Sequence, residues 1–334
     1  TEADRLLAQG ETDGTIIRLK DDPKFKQPRW CSRDQWFLEL TVLPSAKKRA
    51  DEQEIRLARA DVEKAIAEHE AAMSKKLGKD IQLSDEQKAS VFHVASETGG
   101  LACIIGQAGT GKSASAGAYV RAFKAAGRRG IGTSTSQAAT DNLRDEAEIE
   151  GKNTAELLHA LDKGKLTLTA NDVIVLDEAG MVGAKTFRRI QKHVDKAGAK
   201  IIAVGDPKQL EAIEAGGPFA QLCEKFGAAA ITQIMRQKDL EARSLAESFY
   251  NENKTGSDIV EEMLTKGMLR KEKHQVKALA QAYLDDERAV QDKLIVVHTH
   301  AAAASVDGYV RAGLKERGQL AEATAKKLRL GSGE

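Results

Sequence analysis

Residues 106–113 read Gly106-Gln107-Ala108-Gly109-Thr110-Gly111-Lys112-Ser113, which fits G-x-x-x-x-G-K-[ST] at every fixed position. A loop of this type wraps phosphate. Its glycines let successive backbone N–H groups turn inward, and the positive end of the following helix favours the same anion. Gly106, Ala108, Gly109, Thr110 and Gly111 are the expected cradle, Lys112 reaches the β and γ phosphates, and the Ser113 hydroxyl completes a Mg²⁺ shell. Downstream, Val173-Ile174-Val175-Leu176-Asp177-Glu178 is an apolar run ending in two acids. This is the order expected of a neighbouring strand in the same sheet, with Asp177 holding Mg²⁺ through water. Glu178 is placed to position or deprotonate an attacking water, which makes the site hydrolytic. Two acids after a strand are, on their own, a solvated helix N-terminus. A third run, 201–204, leads into Gly205-Asp206-Pro207-Lys208-Gln209-Leu210. There Gln209 is placed to sense the γ-phosphate, although the hexapeptide alone reads as an Asp-Pro turn closing a strand.

Strands and helices must deliver these groups to one place. Beyond Ser84, helical stretches separate short apolar or β-branched runs at 101–105, 130–133, 173–176, 201–204 and 230–232, the pattern of an α/β fold with a doubly wound parallel sheet. After Arg236 come three helical stretches, a strand expected at 294–297 and a further helix, the start of a second, partial α/β unit. Residues 1–50 carry Pro23, Pro28 and Pro44 and read as irregular. From 51 to about 76, Ile55, Val62, Ile66, His69 and Met73 recur on one helical face, with Gly78 as terminator. The expected divisions are therefore an accessory segment with a long helix (1–82), a phosphate-binding domain (83–235) and a truncated second domain (236–334).

Composition bounds the rest. A chain of 334 residues with 41% hydrophobic and 30% charged residues builds a packed core rather than a disordered one. Lys plus Arg is 51 and Asp plus Glu is 50, a net +1, so any attraction to nucleic acid is local. Three cysteines, Cys31, Cys103 and Cys223, lie far apart and fit a reducing cytosol. No apolar run approaches the roughly 18 residues of a membrane span, so a cytoplasmic protein without membrane insertion is expected. The absent initiator Met points to a fragment.

The ordered set 106–113, Asp177-Glu178-Ala179-Gly180-Met181, 205–210 and Ile234-Met235-Arg236-Gln237 resembles motifs I, II, III and IV of superfamily one helicases of the RecD-like branch. It looks most like the helicase part of TraA-type conjugative relaxases, over about residues 83–240. The resemblance implies a RecA-like P-loop NTPase with ATP and Mg²⁺, translocating 5′ to 3′ on single-stranded DNA in plasmid transfer. It also implies a possible fused nickase domain and conjugation machinery as partners. Arg236 takes the place of an arginine that reaches the γ-phosphate. Gln87 matches an adenine-reading glutamine; it also completes a capping box with Ser84, and both roles are compatible. Thr133, Ser134 and Gln137 fall where the family's motif Ia lies along DNA, with Asn153 and Thr154 nearby. A Ser/Thr-rich helix cap explains the first group equally well. Motifs V and VI and the nickase residues have no match, so a central piece of a larger protein is expected. Two alternatives share these residues: a nucleotide-gated DNA-binding or scaffolding module without productive unwinding, and a RecD-like repair or phage helicase. Arg128-Arg129, Arg188-Arg189 with Lys192, and Arg270-Lys271 with Lys273 are basic clusters more simply read as surface charge. His298-Thr299-His300 has chelating spacing but no acid or Cys cluster close by.

Overall fold

The computed structural model describes residues 2–21, 27–107, 109–209, 212, 214–233, 240–251 and 253–320. They fall into two compact units, residues 1–250 and 251–334. In the first, α1 (Glu2–Asp13) leads to an antiparallel pair, β1 (Ile16–Arg18) and β2 (Trp30–Ser32), followed by α2 (Arg33–Ala50), α3 (Arg59–Leu77) and α4 (Asp85–Phe92). The alternating part is β3 (Leu101–Gly106), α5 (Lys112–Ala125), β4 (Arg129–Thr133), α6 (Gln137–Ala147), β5 (Glu150–Gly151) and α7 (Thr154–Asp162). It continues with β6 (Asp172–Leu176), α8 (Ala184–Ala197), β7 (Lys200–Gly205), α9 (Pro218–Phe226), β8 (Ala229–Ile231) and α10 (Leu240–Ser248).

Six strands form one parallel sheet in the order β5-β4-β6-β7-β3-β8. β6 and β7 are buried along their whole length, as strands covered on both faces must be. Alternation splits their side chains between two cores. Leu101, Cys103, Ile174, Leu176, Ile201 and Ala203 join one cluster, while Ala102, Ile104, Val173, Val175, Ile202 and Val204 join the other. The expected doubly wound α/β sheet is therefore present, with one correction. The acid-bearing β6 does not adjoin β3, because β7 pairs with both and lies between them.

The described residues among 1–50 are mostly regular rather than irregular. Ser32 caps α2 by accepting a hydrogen bond from the Gln35 N–H, and α2 runs through Pro44. Tertiary packing of Val42 and Ala46 in the first core offsets the proline penalty. The long helix expected from 51 begins only at Arg59, since 51–58 form turns in which Ile55 is nevertheless buried. Its end is as read, with Gly78 left-handed at the C-cap. α2 packs on α8 and α9, and α3 packs on α5, so the segment before Asp85 covers the sheet-flanking helices.

The second unit contains α11 (Gly256–Thr265), α12 (Gln275–Asp285) and α13 (His300–Glu316), with α12 against α13. The strand expected at 294–297 does not form: this stretch has no ladder partner among the described residues, and Leu294 and Val296 are 86% and 81% exposed. A β-branched run becomes a strand only where a neighbour completes its hydrogen bonds. No described helix is long and apolar enough to cross a membrane.

Candidate nucleotide-binding site

All parallel strands end at one rim, and three of them deliver the candidate residues there. β3 runs into the phosphate loop, where Gly109 (φ 81°) and Gly111 (φ 76°) adopt the left-handed conformation that only glycine takes freely. Gly111 is the N-cap of α5, so the first-turn N–H groups of that helix open toward the loop. Lys112 folds back across the loop: its Nζ donates to the Gly106 carbonyl at 3.0 Å and lies 4.0 Å from Glu178 Oε1. A Cβ on residue 106 would collide with the Lys112 side chain as it folds back across the loop. Ala108 lies outside the described residues, as does Arg236.

β6 ends in Asp177, whose N–H donates to the Thr133 carbonyl of β4 at 2.8 Å. Glu178 then takes φ 51° and ψ 41°, a left-handed conformation costing roughly 1–2 kcal/mol for a residue with a Cβ. That turn sends its N–H back to Asp177 Oδ1 at 2.9 Å and leaves its carboxylate beside Lys112. Burial and then the Glu178 carboxylate push Asp177 up to about 6. Asp177 and the hydroxyl-bearing Ser113 line the same cleft; oxygen donors of this kind suit a hard divalent cation, and added positive charge would relieve the repulsion between the two acids. On this ground the residues present fit Mg²⁺.

β7 delivers the third group. Asp206 is 3% exposed and fully engaged: Oδ1 accepts from the Lys208 N–H at 2.9 Å, and the Tyr250 hydroxyl donates to Oδ2 at 2.7 Å. The Gln209 N–H donates to the Asp206 carbonyl at 3.2 Å, so this turn fixes where Gln209 enters the cleft.

The cleft has a volume of about 660 Å³ and is lined by the loop from Gly109 to Ala114, by Asp177 and Glu178, and by Gln209. The structure thus brings together Gly109, Thr110, Gly111, Lys112, Ser113, Asp177, Glu178 and Gln209. Gln87 approaches from α4. Its amide completes the capping box, accepting from the Ser84 N–H at 2.9 Å, and also donates to the Thr110 and Gly111 carbonyls at 3.2 Å each. Neighbouring Glu86 accepts from the Thr232 and Gln233 N–H groups, at 2.6 and 3.0 Å, where the chain leaves β8.

Thr133 and Ser134 are wholly buried, and their hydroxyls have no partner. Ser136 caps α6, accepting from the Ala139 N–H. Gln137 is exposed and accepts from Asn153 Nδ2 at 2.9 Å, while the Thr154 N–H donates to the Ser134 carbonyl at 2.9 Å. These residues therefore form a strip along the rim beside β4. The basic clusters of the first unit are used internally: Arg129 pairs with Asp172 at 2.7 Å, Arg188 with Asp195 at 3.3 Å, and Arg189 with Asp162.

The sequence reading missed the outer wall of the cleft. His69, Met73 and Lys76 of α3, with Asn142 and Glu146 of α6, line it as well. The only local signal was polar: a histidine and a lysine seven residues apart flank a methionine on a helix face otherwise read as core.

Comparison with known proteins follows this geometry. Probable conjugal transfer protein TraA of Sinorhizobium fredii (strain NBRC 101917 / NGR234) is 37% identical over 158 residues, covering 47% of this chain and 14% of that protein. Conjugal transfer protein TraA of Agrobacterium fabrum is 36% identical over 169 residues, 51% of this chain and 15% of that protein. The ATP-dependent RecD2 DNA helicase of Deinococcus radiodurans is 28% identical over 163 residues, 46% of this chain and 22% of that protein. The chain thus spans about a seventh of the length of the two TraA proteins. The family described as AAA domain matches residues 82–274, from the entry to α4 through the phosphate loop and both acids to the start of α12. With more than half of its length matched, and the nucleotide-binding loop and acids within the matched span, the chain belongs to the AAA domain family.

Proposed function

We propose that the chain is the motor part of an ATP-dependent translocase or helicase on single-stranded DNA, acting in conjugative plasmid transfer. The observation that carries this reading is the convergence of Lys112, Asp177, Glu178 and Gln209 on one cleft at the carboxyl rim of the sheet. Names of the similar proteins, conjugal transfer proteins and a DNA helicase, support the biological setting.

In this reading the Glu178 carboxylate accepts a proton from the water that attacks the γ-phosphorus. Lys112 Nζ, 4.0 Å away from that carboxylate, leaves its Gly106 acceptor for the β and γ oxygens and neutralises charge as the terminal phosphate departs. Gln209, held by the Asp206 turn, registers whether the γ-phosphate is present. Mg²⁺ held by Ser113 and Asp177 would supply further neutralisation of the phosphate oxygens. Arg236 is proposed to add a second cation, and Gln87, beside the Thr110 and Gly111 carbonyls, to read the adenine. The strip of Thr133, Ser134, Gln137, Asn153 and Thr154 is proposed as the path of the strand, through backbone groups and the exposed amides. Movement from 5′ to 3′, a fused nickase and a cytoplasmic location belong to the same proposal, as does a second RecA-like unit, of which the described residues after 250, rather than after 235, supply helices only.

The test is the rate of ATP hydrolysis with and without single-stranded DNA. Stimulation supports the translocase; DNA binding without stimulation would favour a nucleotide-gated binding module instead.

A further inference from the structure

The turn that carries Gln209 is held by a residue from far along the chain. Asp206 follows β7, buried, and organises the turn: its Oδ1 accepts from the Lys208 N–H at 2.9 Å and its carbonyl from the Gln209 N–H at 3.2 Å. Its second carboxylate oxygen, Oδ2, accepts from the Tyr250 hydroxyl at 2.7 Å, and Lys208 Nζ donates to the Tyr250 carbonyl at 3.3 Å. The turn thus grips Tyr250 at side chain and backbone together. Tyr250 follows α10 and is the last residue of the first unit. Open space borders the turn on more than one side. Gln209 lines the nucleotide cleft of about 660 Å³ and, with Asp206 and Pro207, a second cavity of about 310 Å³, while Pro207 and Lys208 are exposed. A turn set between two cavities keeps its place through hydrogen bonds more than through packing, and a hydroxyl bonded to a buried carboxylate is among the stronger of these.

We infer that Tyr250 is a positioning residue for the γ-phosphate sensor, its hydroxyl holding the Asp206 turn so that Gln209 stands where the terminal phosphate is met. The inference rests on the reading of Gln209 as that sensor and adds the group that aims it. Without the hydroxyl, Asp206 Oδ2 loses its donor and the turn is released to shift. A displacement of about 1 Å at Gln209 is enough to spoil an interaction made with the reacting phosphate, while the loop around Lys112 goes on holding the rest of the nucleotide. ADP has no terminal phosphate, so its binding does not depend on this aim. Because Tyr250 ends the first unit, the sensor is also tied to the point where the chain passes on into the second.

The experiment is a double-mutant cycle of Tyr250→Phe, Gln209→Ala and the two combined, read by ATP hydrolysis, ADP affinity and a thermal melt of each protein. Tyr250→Phe is expected to slow hydrolysis at saturating ATP by about tenfold, with KM and ADP affinity changed by no more than about twofold. Gln209→Ala should slow it by at least as much. The double variant should then be no slower than Gln209→Ala alone, within about twofold, because the hydroxyl acts through the amide. A hydroxyl with a merely structural role gives the other pattern, a lowered melt and two losses that multiply, and that result overturns the inference. So does hydrolysis by Tyr250→Phe at the original rate. If Gln209→Ala itself turns over at the original rate, the sensor reading fails and this inference with it, while the reading of Lys112 and the two acids stands.

Discussion

The two ends of the same parallel sheet treat buried charge in opposite ways. At the amino end, Lys200 opens β7 wholly buried and donates to the Thr98 carbonyl at 2.9 Å, the Thr98 hydroxyl at 3.3 Å and the Gly99 carbonyl. All three ammonium donors are used. Beside it, Asp172 of β6 takes Arg129 of β4 across the register and the Thr169 N–H at 2.6 Å. At the carboxyl end, Lys112 has one acceptor, Asp177 is pushed up to about 6, and Glu178 is bent into a left-handed turn. The amino end is closed, with Lys200 and Asp172 buried, whereas the carboxyl end opens into the cleft. What distinguishes the functional end is charge held in place without being satisfied.

The largest effect should come from removing the loop cation. Lys112→Ala is expected to lower ATP hydrolysis by about a thousandfold or more while melting changes little, because the side chain serves a ligand rather than the fold. Steady-state turnover alongside a thermal melt checks both halves.

Asp177→Asn sharpens the comparison from the stability side. The native carboxyl titrates near 6 and the unfolded one near 3.8, so the folded state binds the extra proton between those values and loses stability as pH rises through them. The variant should therefore be more stable than the unaltered chain at pH 8 by about 1–3 kcal/mol, with the gap closing below pH 4. Urea denaturation at several pH values measures it. A variant that is less stable at pH 8 would mean that Asp177 is structural.

Lys200→Met is the counterpart at the other end, with a similar or smaller effect of opposite sense. Burial pushes Lys200 down to about 7, so its contribution is present above the unfolded value and is lost as pH falls through 7. The variant leaves the Thr98 and Gly99 carbonyls without their donor. It should be less stable by about 1–3 kcal/mol near pH 10, with the difference shrinking toward pH 7. Nucleotide affinity should stay within about twofold, since the residue lies at the far end of β7.

These contrasts also explain what was readable in the sequence. The phosphate loop was legible because its function needs fixed spacing within eight residues, and Asp177-Glu178 because an apolar run ends at them. The place of β7 between β6 and β3 was not, since chain order does not encode which strands pair. α2 was hidden by Pro44, tolerated because neighbouring side chains are buried in a core assembled from distant residues. His69 was read as one more position on a helix face; that it also borders the cleft depends on its packing against Gly117 of α5, far along the chain. The run at 294–297 failed for the converse reason, having strand propensity without a partner.

The central claim is that Glu178 activates water in a cleft that binds the nucleotide by other groups. Glu178→Gln, assayed for Mg·ATP affinity and for single-turnover hydrolysis, tests it most directly. The account predicts affinity within a few fold of the unaltered chain and cleavage slowed by about a thousandfold or more. Cleavage at the original rate, or loss of binding together with it, would contradict it.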